Sequence, residues 1–457
     1  VTDDADRPAG SRWMLSAALA GAVVVGLLGL VAAFAMSRPE PALVGAPLLL
    51  AAALAWDRRP AAGAQDATTR TTLAAESTLA PEAAEARDAT ETTDATENGV
   101  RAGRPTLLVR IAVAAVRRPD AVQLRLELGE RAPVDVLLTP RAAAGLTARV
   151  PIVHSGRQRV AAAQAREVGA DASWASEPGE RAEVERVVRP RRRPVRALPL
   201  PARLLGLTGQ HVSTRPGDGG EFRDVDLFHP GDRLRRIDWR ATARAGRAGE
   251  LYVRRTTATS DAAIHLVVDA RDDLSGVVAD WSRAHPRPAV SSLDVAREAA
   301  ASLAVAYAAV GDRVGFDDLG GAQRVLPPRA GARHRERVLR AIDLTTATGT
   351  LYTRVRSPRL SPGALVFVLS TFLDDQPATL ALTWRAAGHR VIAVDVLPPR
   401  DGRDLTARDR WALRTVELER RLRLGRLQSG GVELMPWADA SGREAALRAL
   451  AGGGRRR

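Results

Sequence analysis

The chain has 457 residues, 45% of them apolar, with no cysteine and a formal net charge of +14. That length suits two or three domains, and the missing cysteine excludes disulfides and thiolate metal sites while leaving the compartment open. Its basic residues are all arginine, interleaved with acidic ones and without a recognised nucleic-acid motif, a pattern that favours internal pairing over a continuous phosphate-binding stripe.

Residues 1–12 read as a short tail. Residues 13–36 are uncharged; as a helix they reach roughly 36 Å, beyond the ~30 Å hydrocarbon core. A second, shorter apolar stretch covers 41–56. Only Ser37, Arg38, Pro39 and Glu40 separate the two, so 13–56 is expected to be a transmembrane helical hairpin, with Trp13 and Trp56 at headgroup level. A cleaved signal peptide fits less well, because its apolar core runs to about 7–15 residues. Arg7, Arg12, Arg58 and Arg59 flank the outer ends while Arg38 stands alone in the turn. The positive-inside rule then places both termini and the soluble domains in the cytoplasm.

Residues 57–104 are rich in Ala, Thr and acidic side chains and poor in groups that bury, so a disordered tether is expected, with some helix allowed around 73–87. From 105 to 190 the apolar period falls to two: 106–113, 122–128 and 134–138 read as strands of a small antiparallel β-sandwich. No element can be placed over 161–176, and the fold of 140–190 stays open. Arg191, Arg192 and Arg193 then lead into a proline-spaced connection, 194–201.

Residues 191–258 hold the most specific stretch of the chain. From 219 to 247 it sets Glu221, Asp224, Asp226, Asp232 and Asp238 against Arg223, Arg233, Arg235, Arg236, Arg240, Arg244 and Arg247. Phe222, Phe228 and Trp239 lie among these charges, and Pro230-Gly231 marks a turn. We read it as a partly buried network in which guanidinium groups fork onto carboxylates around Trp239. Gly220, Glu221, Phe222, Gly231, Asp232, Arg236, Ile237, Asp238, Trp239, Ala243 and Arg244 resemble the signature of the bacterial family called domain of unknown function 58. The resemblance implies a membrane protein with a von Willebrand factor type A-like C-terminal domain. It also implies a MoxR-type AAA+ ATPase as partner, and an adaptor role in assembling or activating other proteins.

From 259 to 451 strands alternate with helices, as in an α/β domain with a mainly parallel sheet, and 452–457 read as a frayed tail. Strands are expected at 264–268, 313–316, 364–369, 390–394 and 432–435. Helices are expected at 293–310, 333–344, 379–387, 406–427 and 442–450, the first of them capped by Ser291 or Ser292. In the type A-like fold that the order resembles, a first loop with one carboxylate and two hydroxyls suits Mg²⁺. Here that loop is Asp269-Ala270-Arg271-Asp272-Asp273, both hydroxyls are lost, and Arg271 brings fixed positive charge to the ion's place. The resemblance leaves Asp269, Asp273, Thr350 and Asp374 as a degenerate metal set, with Thr371 where a ligand Asp is usual. Arg271 is expected to pair with Asp269 or Asp273, and a Mg²⁺ cofactor is disfavoured; an arrangement with Arg271 turned outward would still gather a cation.

No H-E-x-x-H, G-x-S-x-G or P-loop motif is present. The reading is therefore a membrane-anchored cytoplasmic interaction protein with no catalytic constellation. Two alternatives stand beside it: a hydrolase or phosphate-ligand enzyme using Glu221, His211 and the Asp269 loop, and a nucleic-acid binder acting through the Arg-rich surface.

Overall fold

The computed structural model describes residues 13–57, 70–78, 106–114, 119–169, 172–204, 209–245, 247, 249–281, 283, 287–349 and 360–453. The chain divides into two compact units, one built mainly from the residues up to 186 and one from most of the remainder.

The first unit opens with β1 (Trp13–Leu15), α1 (Ala17–Met36), α2 (Glu40–Asp57) and β2 (Arg70–Thr78). It continues through β3 (Thr106–Ala114), β4 (Ala121–Leu128), β5 (Val134–Leu138), the short α3 (Pro140–Ala143), β6 (Leu146–Pro151), β7 (Gly156–Gly169), β8 (Trp174–Ser176) and β9 (Ala182–Val188). Both helices are long and apolar enough to cross a membrane. Ser16 caps α1 by accepting from the Leu19 amide, and Ser37 ends it in the left-handed conformation. Small residues let the pair approach closely, since a Cβ added at Gly45 would lie 2.7 Å from the Gly26 carbonyl oxygen.

The strands form two antiparallel sheets. One runs β1-β8-β7-β4-β5 with β9 also on β7, and the other runs β2-β3-β6. Alternation along β3 and β4 buries Leu107, Val109, Ile111 and Val113 from the first and Val122, Leu124 and Leu126 from the second. Three expectations change here. Trp13 does not cap a membrane helix: it is buried in β1, paired with Ser176 of β8. The supposed tether contributes β2, paired along its length with β3, so 73–78 are strand rather than helix. The remainder of 57–104, apart from Asp57 at the end of α2, lies outside the described residues. The span 161–176, where no element could be placed, holds most of β7 and all of β8.

The second unit contains β10 (His211–Leu227), α4 (Trp239–Ala245), β11 (Tyr252–Ser260), β12 (Ala263–Val268), α5 (Ser292–Ala309), β13 (Arg313–Asp318) and β14 (Leu326–Arg329). After these come α6 (Ala332–Leu344), β15 (Leu365–Ser370), α7 (Asp375–Ala386), β16 (Arg390–Asp395), α8 (Ala407–Ser429), β17 (Glu433–Pro436) and α9 (Ala440–Gly453). β10 and β11 form a two-stranded antiparallel ribbon, and Gly217-Asp218-Gly219-Gly220 falls inside β10 near a break in register. The main sheet has the order β14-β13-β12-β15-β16-β17, parallel except for β14 at its edge.

β12 and β15 are buried along their whole length, as strands covered on both faces must be. Ile264, Leu266 and Val268 join the core beneath α5, α6 and α9, whereas Val267 joins the core beneath α7 and α8. The proline-spaced connection is part of this unit. Val195, Ala197 and Leu198 pack on the core, Pro199 accepts from the Tyr307 hydroxyl at 2.6 Å, and Leu200 accepts from Arg390 Nη1 at 2.6 Å.

Candidate functional site

The sheet order reverses beside β12: β13 pairs on one side of it and β15 on the other. In open α/β sheets such a switch point opens a crevice at the carboxyl ends of the strands. Asp269 follows β12 there, and Ser370 ends β15.

Arg271 fills that crevice. Its side chain is 2% exposed. Nε donates to Asp269 Oδ1 at 2.8 Å, and Nη2 donates to Asp269 Oδ2 at 2.9 Å and to Asp374 Oδ2 at 2.6 Å. Nη1 donates to Gln376 Oε1 at 2.6 Å. Ser370 Oγ donates to Asp269 Oδ2 at 2.8 Å and accepts from the Phe372 amide at 3.0 Å. The Phe372 backbone is left-handed, with φ 53°, a turn that tucks its ring into the core. Asp374 also caps α7 through the Gln376 amide. Burial works against the charge on Arg271, but hydrogen bonds and charge from Asp269, then Asp374, outweigh it and raise its pKa.

Two further arginines close the same edge from α8. Arg420 Nε donates to the Thr371 carbonyl at 2.7 Å, and its guanidinium pairs with Asp395 at the end of β16. Arg423 donates to Asp375 at 2.7 Å and to the Phe372 carbonyl at 3.0 Å.

The structure thus brings Asp269 and Asp374 together, joined by a guanidinium. Asp273 turns away, accepting from the Leu293 amide at 2.9 Å and the Ser292 hydroxyl at 3.3 Å at the start of α5. Thr350 lies outside the described residues. Arg271 pairs with Asp269 and not with Asp273, and the arrangement with Arg271 turned outward is corrected: the guanidinium points inward. Among the described residues no three His, Asp or Glu side chains converge as a metal site. What remains is a closed network of buried charge. Asp272 lies beside it, and burial, then repulsion from Asp269, pushes its carboxyl up to about 6.

The proposed acid–base residues do not meet here. His211 Nε2 lies 2.9 Å from both Asp312 oxygens. Asp312 precedes β13 whereas Asp269 follows the parallel β12, so they occupy opposite edges of the sheet. His211 pairs with Ser260 and Phe222 with Thr256, which sets Glu221 about 13 Å further along the ribbon at ~3.3 Å per residue.

The signature residues also differ from expectation. Trp239 is 67% exposed, and Leu234 and Phe222 are exposed too, so the stretch is not a buried network around an indole. Gly220 and Glu221 lie in β10, and Arg254 sits 5.0 Å over the Phe222 ring. Gly231 takes φ +107°, which a turn with a Cβ would resist. Asp232 accepts from the His229 amide at 2.8 Å, and Ile237 bridges to Val253. Asp238 caps α4, its Oδ1 accepting from the Arg240 and Ala241 amides. Arg236 is half-buried and Arg244 exposed on α4. Asp232 and Asp238 thus serve a turn and a cap, Asp224 pairs with Arg223 at 3.6 Å and Asp226 with Arg255 at 3.2 Å, and Phe222 and Trp239 are left outside.

Sequence reasoning missed Ser370, Gln376, Arg420 and Arg423. An arginine within a long helix reads as solvated, and only the fold shows which ones face the sheet edge.

Three curated relatives match the chain, one from Mycobacterium bovis and two from strains of Mycobacterium tuberculosis, each described as an uncharacterized protein. Each is 32% identical over 208 residues, 43% of this chain and 60% of the relative. The chain thus spans about 60% of the length of the relatives it matches. No solved structure matches it. The model for the family described as protein of unknown function DUF58 matches residues 224–429, from β10 through the end of α8. Across those residues the chain is similar to the DUF58 family.

Proposed function

We propose that this chain is a membrane-anchored interaction protein whose family signature is a docking surface. One observation carries the reading: the signature's large side chains, Trp239 above all, are not used by the fold and stand in solvent. Trp and Arg dominate binding energy at interfaces when a partner covers them. Leu234 and Trp239 are exposed beside Arg235, Arg240 and Arg244. The two apolar helices supply the anchor. Arginines outside the hairpin favour cytoplasmic termini and soluble domains. The sheet order with its single antiparallel edge strand is compatible with a von Willebrand factor type A-like domain. Mg²⁺ has no part in this reading, because Arg271 already neutralises Asp269 and Asp374. Family resemblance names the partner class, a MoxR-type AAA+ ATPase, with assembly or activation of other proteins as the outcome.

The test is binding of the full chain in detergent to a purified MoxR-type ATPase, with and without ATP and Mg²⁺. Leu234→Ser with Trp239→Ala should weaken binding at least ~30-fold, as expected for a hot spot of about 2 kcal/mol, without changing thermal melting. Equal affinity of variant and native chain would refute the docking role.

A further inference from the structure

We infer that the outer face of α8 seats on an anionic lipid surface. This site is separate from the signature, and it rests on the reading that α1 and α2 anchor the chain.

α8 carries apolar side chains on its outer side as well as its inner one. At about 100° per residue, Trp411, Thr415, Leu418 and Leu422 fall on one line of the helix. Trp411 is 69% exposed, Leu418 51% and Leu422 64%, so this apolar line faces away from the sheet. The opposite side holds Arg420, Arg423, Leu424 and Leu427, which face the sheet edge and the core. With Arg420, Arg423, Leu424 and Leu427 turned inward, the outer apolar line has no partner, unlike the polar outer side of an ordinary surface helix.

Charge selects the occupant. Arg414 and Arg421 flank the line on one side, Arg408 and Arg426 on the other, and all four are exposed. Arg408, Arg414 and Arg421 have no carboxylate partner among the described residues, and Arg414 lies 5.2 Å over the Trp411 ring. Of the three carboxylates of α8, Asp409 accepts from Thr406 at 2.7 Å and Glu417 lies 3.3 Å from Arg400, which leaves exposed Glu419 against the four exposed arginines. A narrow apolar line of Trp and Leu with arginine on both flanks is the pattern of a helix lying in a headgroup layer. Three apolar side chains cover far less than the ~800 Å² per partner of a stable protein interface. They hold a free protein to lipid only weakly, but an anchored chain meets the bilayer at high effective concentration. A second copy of the chain would bring its own arginines to the same line, and like charges would oppose it.

The chain's lack of cysteine gives a clean probe. Thr415→Cys is spin-labelled in the full chain and reconstituted in nanodiscs of phosphatidylcholine, with or without one part in three phosphatidylglycerol. The expected result is a label shielded from an aqueous nickel reagent and reached by oxygen in the anionic discs, and water-exposed in the neutral ones. Adding Arg414→Glu and Arg421→Glu should lower the ratio of lipid-bound to free α8 by at least ~30-fold, at roughly one kcal/mol for each arginine. Trp411→Ser, at an exposed position, should weaken shielding while leaving melting unchanged. A label equally water-exposed in both discs, with the chain retained in each, overturns the inference and leaves the anchor reading intact. Shielding that follows protein concentration and ignores lipid composition overturns it in favour of a second copy. Retention on anionic discs alone would refute the anchor and leave α8 as the lipid contact.

Discussion

Arg271 and Asp269 meet as a two-pronged pair, with Nε–Oδ1 at 2.8 Å and Nη2–Oδ2 at 2.9 Å, at the end of the central strand β12. Both residues are buried, so neither charge can fall back on water. Arg271→Ala should therefore cost about 3–5 kcal/mol, because it strands the Asp269 carboxylate. The double variant with Asp269→Ala should lose less than the two single losses summed. Urea unfolding followed by near-ultraviolet circular dichroism checks both. In the native chain, millimolar Mg²⁺ or EDTA should leave melting unmoved.

Asp272 provides a second check. Its carboxyl is raised from 3.8 to about 6, chiefly by burial and then by Asp269. A carboxyl raised on folding binds its proton more tightly in the native state, so its cost is absent below about pH 4 and grows as pH rises towards 6. Asp272→Asn should then leave stability at pH 4 unchanged and add about 1–2 kcal/mol at pH 7.5, allowing for partial exposure. Melting curves at the two pH values decide it.

His211 shifts in the sense expected of a cation beside a carboxylate. The Asp312 hydrogen bond raises its pKa against the opposing effect of burial. The protonated pair therefore stabilises fully below the unfolded value of about 6.5, and that stability is lost as pH rises through the higher folded value. Replacing His211 with Gln should flatten this slope. A titration of the imidazole by NMR should place it above the free value.

The signature separates two neighbours. Trp239→Ala should change stability by no more than about 0.5 kcal/mol, because the indole is in solvent. Asp238→Ala should cost about 1 kcal/mol by uncapping α4. Thermal melts of the two variants distinguish cap from surface.

Where side-chain period and burial agree, the sequence was readable. Continuous apolar runs became β12, β15 and β16, and Ser291 capped α5 with a reciprocal bond from Asp294. β7 escaped notice because it buries Ala161, Ala162, Ala163 and Ala165, and alanine gives a strand no apolar signal. β14 carries Pro327 and Pro328, which only an edge strand tolerates. Asp269 was identifiable as a loop carboxylate, but Asp374 and Gln376, which share its Arg271, come from over a hundred residues away, and no local spacing points to them. The signature misled for a different reason. Alternating charge with aromatic groups suits a buried network and an exposed recognition face equally well, and only accessibility separates them.

At the other end of the chain, the hairpin is held by both feet. β1 adds Trp13 to the edge of the sheet through β8, and Trp174 in β8 donates to the Ala55 carbonyl at 2.9 Å while its ring meets Trp56 at 5.7 Å. A pair of helices gripped at entry and exit by one short strand cannot swivel on its own. Any tilt of the two helices is therefore levered into that strand and passed on to the sheet behind it.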